Sequence, residues 1–159
     1  MQRLVVFCDE SIEKGKYYSN FFGAIMVKEA DLVRVNNILE TKLKSLNLGK
    51  EVKFTRITTS YQTKYQELMV EFFRLVKSGE LKVRIMFTQN LDLPQLTPEQ
   101  RKRNKYFVLY YQLIKHAFGW QYMPDPTPYL LQLNFDVFPH TKGDIAEFKR
   151  YLVGLSNQP

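Results

Sequence analysis

The stretch that most constrains this chain is its first apolar run. Leu4-Val5-Val6-Phe7-Cys8 stops abruptly at Asp9-Glu10-Ser11. A short apolar run bounded by polar residues is the pattern of a strand buried on both faces. Two readings of the acidic corner stand side by side. In one, Asp9, Glu10 and Ser11 open a turn that Gly15 completes. In the other, carboxylates at the end of a central strand face the edge of the sheet where α/β proteins bind ligands.

The following segments continue the pattern. Tyr17 to Val27 is aromatic and β-branched and reads as one long strand or as two strands broken near Gly23. Its short connection to Asp9 predicts an antiparallel hairpin. Leu32, Val35, Leu39, Leu43 and Leu46 form one stripe on a helix from Glu29 to Leu46, stopped by Asn47-Leu48-Gly49. Lys50 to Arg56 alternates and reads as a short strand or extended segment. Thr58-Thr59-Ser60 offers caps for a helix from Tyr61 to Lys77, which Ser78-Gly79 ends. Leu81, Val83, Ile85 and Phe87 then alternate with Lys82, Arg84, Met86 and Thr88, a strand with one wetter face. Thr97-Pro98-Glu99-Gln100 starts a helix predicted to run to about Trp120 and to be largely buried. The Tyr and Phe stripe of that helix is read as core, because it is apolar nearly all round. Three prolines between Pro124 and Pro128 forbid helix and sheet interior there. Tyr129 to Val137 is the last strand, with Tyr129, Leu131, Leu133 and Phe135 on one face and Leu130, Gln132, Asn134 and Asp136 on the other. Thr141-x-x-Asp144 resembles a capping box for a final helix to about Leu155. The order predicts an α/β protein: a mixed sheet with an antiparallel start, flanked by helices.

The single cysteine, Cys8, excludes an internal disulfide and a zinc cluster, and its place in the first apolar run makes it a core residue. No signal-like segment opens the chain and no apolar run reaches membrane-spanning length, so a cytoplasmic protein without a membrane partner is expected. The formal charge of +7 permits an anionic partner such as nucleic acid.

The acids at predicted strand ends suggest chemistry. Asp9 closes the first strand, Asp136 nearly closes the last, and Glu51 opens the segment after the first helix. If the first and last strands are parallel neighbours, Asp9 and Asp136 lie beside each other at about 4.8 Å strand spacing. Two carboxylates that close repel unless a cation separates them, and a hard divalent ion with oxygen ligands, Mg²⁺ or Mn²⁺, is the natural occupant. Paired ions activate water and stabilise the leaving oxygen of a phosphodiester, and Glu51 would help hold the second ion.

Asp9-Glu10-Ser11, Glu51-Val52-Lys53-Phe54 and a late strand ending in Asp136 together resemble the uncharacterised-domain family numbered 3800. The resemblance spans nearly the whole chain. It implies a single ribonuclease H-like domain over residues 1–159 and a metal-dependent nuclease, with Asp9, Glu51 and Asp136 as catalytic ligands and Glu10 as an auxiliary. Such folds usually take a further carboxylate from a C-terminal helix, about where this chain stops. Asp144 or Glu147 takes that place, or the domain is truncated, or the site is incomplete; as a cap, Asp144 is already explained.

Lys53 shares the face of Glu51 if the segment is a strand, and is a phosphate contact or a solvated lysine. Arg56 has the same status. The run Arg101-Lys102-Arg103-Asn104-Lys105 opens a helix, against the macrodipole, and is a phosphate-facing or a solvated patch. His116 and His140 read as packed or loop histidines. Besides the nuclease, two other classes fit: a non-catalytic ribonuclease H-like module that binds nucleic acid or a protein, and an assembly protein with an aromatic surface. Oligomeric state is not legible.

Overall fold

A computed structural model of the chain describes residues 2–49, 52–53, 55, 57–89, 105–119, 129–136 and 142–154. Its strands are β1 (Gln2–Lys14), β2 (Tyr18–Lys28), β3 (Leu81–Gln89) and β4 (Tyr129–Phe135), hydrogen-bonded in the order β3-β2-β1-β4. The described helices are α1 (Glu29–Ser45), α2 (Gln62–Lys77), α3 (Lys105–Gln112), which runs on into a π turn (Leu113–Ala117), and α4 (Lys142–Gly154). The expected mixed sheet with flanking helices is present.

The hairpin β1–β2 is antiparallel, closed where the Gly15 backbone N–H donates to the Tyr18 carbonyl at 3.0 Å. Contacts divide the chain into two compact units. One holds Met1–Val6, Met26–Val83 and Pro128–Gln132; the other holds Phe7–Ile25, Arg84–Thr127 and Leu133–Pro159. Early β1 therefore goes with early β4, which makes that pair parallel, and late β2 goes with early β3, which makes that pair antiparallel.

In the first unit, α1 and α2 pack on each other. The predicted stripe is the inner face of α1: Val35 is buried, and Leu32, Leu39 and Leu43 are half-buried. Glu29 and Asp31 lie in its first turn and Lys42 and Lys44 in its last, complementing the macrodipole. The helix stops where Asn47 enters the left-handed region (φ 51°) and the Leu48 N–H turns back to the Leu43 carbonyl at 3.0 Å. In α2, Leu68 and Leu75 are buried, and Gly79 (φ 79°) makes the same kind of stop. No side chain caps the start of α2: its N-cap is Tyr61, while Thr58 and Ser60 bond to each other at 3.0 Å. The predicted short strand is not seen in Val52 and Lys53, which are irregular; Lys50, Glu51, Phe54 and Arg56 lie outside the described residues.

In the second unit, α3 and α4 cover one face of the sheet. Tyr110, fully buried, meets Phe22 of β2 and Phe135 of β4 edge to face, with centroids 4.7 and 4.9 Å apart. Phe148 of α4 stacks on Phe107 at 4.8 Å. Leu113, Ile114 and Phe118 are buried, so the aromatic helix is core, as its composition predicts. Arg84 of β3 donates to the Ala117 carbonyl at 2.6 Å, a cation at a helix C-terminus.

Candidate functional site

The structure corrects the reading of the acidic corner. The first strand does not end at Asp9: β1 runs on to Lys14 because β2 pairs with it and satisfies its backbone. Asp9 thus lies within a strand. Alternation sets where each neighbour points. Cys8 is buried, and Glu10 accepts a 2.5 Å hydrogen bond from the Tyr110 hydroxyl, so both face the helices. Asp9, between them, is exposed on the other face, and its Oδ1 accepts the Glu10 backbone N–H at 2.9 Å, which holds the carboxylate's orientation. Burial, followed by the charge of Glu10, pushes the Cys8 thiol up to about 12, which keeps it protonated and unreactive.

Asp136 directly follows β4 and is exposed. Phe135 packs against Tyr110 and Phe148, and Asp136 stands in the bend just beyond it. Asp9 on β1 and Asp136 one residue past β4 are thus exposed carboxylates carried by neighbouring strands. Among the described residues no three His, Cys, Asp or Glu side chains group closely enough to hold a metal ion. Glu51, Arg56, His140 and Arg101 to Asn104 lie outside the described residues, as do the side chains of Lys105 and Asp144. Lys53 is exposed. His116 is an exposed residue of the π turn.

The open face of Asp9 carries a feature that reading for acids missed. Phe7 on β1, Tyr18 and Phe21 on β2 and Phe87 on β3 are 39–50% exposed, far more than core rings. Phe87 lies edge-on to Tyr18 (4.9 Å) and tilted against Phe21 (5.7 Å), so three strand-borne rings form one cluster. A bulge makes this possible. Asn20 takes φ 52°, its amide donates to Thr88 Oγ1 at 2.6 Å, and that hydroxyl donates to the Ser19 carbonyl at 2.8 Å. The extra residue returns Tyr18 to the face of Phe21. On β3, Ile85 and Phe87 face solvent, while Arg84 and Thr88 reach polar partners. The adjacent pair Phe21-Phe22 was the available signal, since neighbouring strand residues cannot both point inward.

Comparison of the chain with protein-family models, with curated proteins and with solved structures finds no match.

Proposed function

We propose that this chain is a divalent-metal-dependent phosphodiesterase acting on nucleic acid, with a ribonuclease H-like fold. One observation carries the reading: Asp9 on β1 and Asp136 just past β4 are exposed carboxylates carried by adjacent parallel strands. The antiparallel start and the parallel β1–β4 pair support the fold assignment, and the three motifs around Asp9, Glu51 and Asp136 support the chemistry.

The donor set fits the ion. Both groups are hard carboxylate oxygens open to water, and Mg²⁺ or Mn²⁺ binds through one or two carboxylates while keeping waters and taking substrate phosphate. When bound, such an ion supplies charge neutralisation at the phosphate and lowers the pKa of a water. Asp9 and Asp136 would hold it. The backbone hydrogen bond to Asp9 orients one of these ligands. Glu10, tied to Tyr110, anchors the strand under Asp9. A second reading, a module that binds nucleic acid without cutting it, is favoured by the exposed rings beside the acids.

Calorimetric titration of Mn²⁺ and Mg²⁺ into the wild type and an Asp9→Ala, Asp136→Ala variant tests the reading. Heat of binding lost in the variant, with Mn²⁺-dependent cleavage of an oligonucleotide lost in parallel, supports it. Cleavage and binding that survive Asp9→Ala reject it.

A further inference from the structure

We infer that the open sheet face of the second unit binds single-stranded nucleic acid by stacking bases on Phe21, Phe87 and Phe7, and so delivers a phosphodiester to Asp9. The inference rests on the phosphodiesterase reading for its choice of a nucleic acid over another apolar partner. Three observations support it.

Tyr18, Phe21 and Phe87 are exposed as one ring cluster and Phe7 is exposed on the neighbouring strand β1, and apolar surface of that kind on a sheet marks a binding face. Single strands are bound on sheets in this way because every base has a π face, whereas a duplex keeps its base faces stacked inside. The chain is strongly basic, +7, which suits a polyanion. At the tip of the β1–β2 hairpin, next to Tyr18, Lys16 lies 5.0 Å over the ring of the exposed Tyr17, an aromatic and a cation side by side. Phe7 and Asp9 lie two residues apart on one face of β1, about 7 Å at the rise of a strand. A base on Phe7 therefore brings its own phosphate to the carboxylates.

The experiment is fluorescence anisotropy of a labelled 15-nucleotide single strand, as DNA and as RNA, and of the matching duplex, in EDTA so that binding is read without cleavage. The wild type is expected to bind one of the single strands at least tenfold more tightly than the duplex. Phe87→Ala and Phe21→Ala should each weaken binding by about 5- to 100-fold. Phe87→Tyr should keep it, and Ile85→Ala, which removes an exposed side chain without a ring, should leave it unchanged. Circular dichroism melting confirms that each variant is folded. Absence of single-strand binding, or equal loss in Ile85→Ala and Phe87→Ala, overturns the inference. So does a concentration-dependent dimer in sedimentation that Phe87→Ala abolishes, which assigns the face to a second copy. Ring-dependent binding without Mn²⁺-dependent cleavage upholds the inference and rejects the phosphodiesterase; cleavage without ring-dependent binding does the reverse.

Discussion

The Tyr110 hydroxyl donates to Glu10 Oε2 at 2.5 Å from a ring with no exposed surface, and this bond joins α3 to β1 one residue from Asp9. A hydrogen bond to a carboxylate of this kind contributes about 1.5–3 kcal/mol. Tyr110→Phe keeps the ring between Phe22 and Phe135 and removes only the donor. It is expected to lower the urea-unfolding free energy by about 1–3 kcal/mol with the slope unchanged. A double-mutant cycle with Glu10→Gln should show coupling between the two. Additive effects would mean that the bond contributes nothing.

Cys8 should behave as a buried hydrophobe. Below pH 9 the thiol is protonated in both states. Between its ordinary 9.0 and the folded value of about 12, the unfolded chain is thiolate while the folded one keeps the proton. Stability therefore falls as pH rises across that window, by about 1.4 kcal/mol per pH unit. Chemical denaturation at pH 8 and pH 10.5 measures the slope, and Cys8→Ala should reduce it. At pH 8 a thiol reagent should modify the protein only after denaturant is added.

These two residues also show what was legible in the sequence. The apolar run 4–8 announced the first strand and the buried thiol, and the stripe of α1 announced its inner face, because burial writes a period into the chain. The end of β1 was not legible. A strand persists where a partner takes its backbone hydrogen bonds, and the composition of Asp9-Glu10-Ser11 carries no record of β2. The bulge at Asn20 was hidden for a similar reason: it depends on Thr88, distant in sequence. Without it, the open cluster of Tyr18, Phe21 and Phe87 reads as ordinary core. From the sequence, the pairing of β1 with β4 was a condition, and the sheet order meets it.

The first unit should lose stability in acid. The Ser78 hydroxyl, bonding Glu80 Oε1 at 2.7 Å, and then the Arg34 guanidinium, hold the Glu80 carboxyl below its ordinary 4.5. Arg74, bonding Glu71 at 2.6 and 3.1 Å, does the same for Glu71. Near pH 4.5 the unfolded chain therefore binds more protons at these positions than the folded one. The stabilisation is fully present above 4.5 and is lost as pH falls through the lowered folded values. Melting temperatures between pH 3 and pH 6 should drop toward acid, less steeply in Glu80→Gln or Ser78→Ala. Added salt should shrink the difference, since the Arg34 and Arg74 partners are about half exposed.

Two glycines of the hairpin should answer oppositely to alanine. A Cβ at Gly15 would stand 2.6 Å from the Tyr18 carbonyl oxygen, the acceptor of the Gly15 N–H, so the backbone bond that closes the turn must shift. The expected cost is about 1–3 kcal/mol, as for other overpacked sites. At Gly23 the nearest atom to a Cβ is the Asp9 carbonyl oxygen at 3.8 Å, an ordinary contact, and the site lies on the half-open face beside Asp9. Alanine there restricts the unfolded chain without native strain and should add about 0.4–1 kcal/mol. Parallel urea titrations of the two variants check the contrast. Equal destabilisation would show that the close approach at Gly15 is not what fixes that residue as glycine.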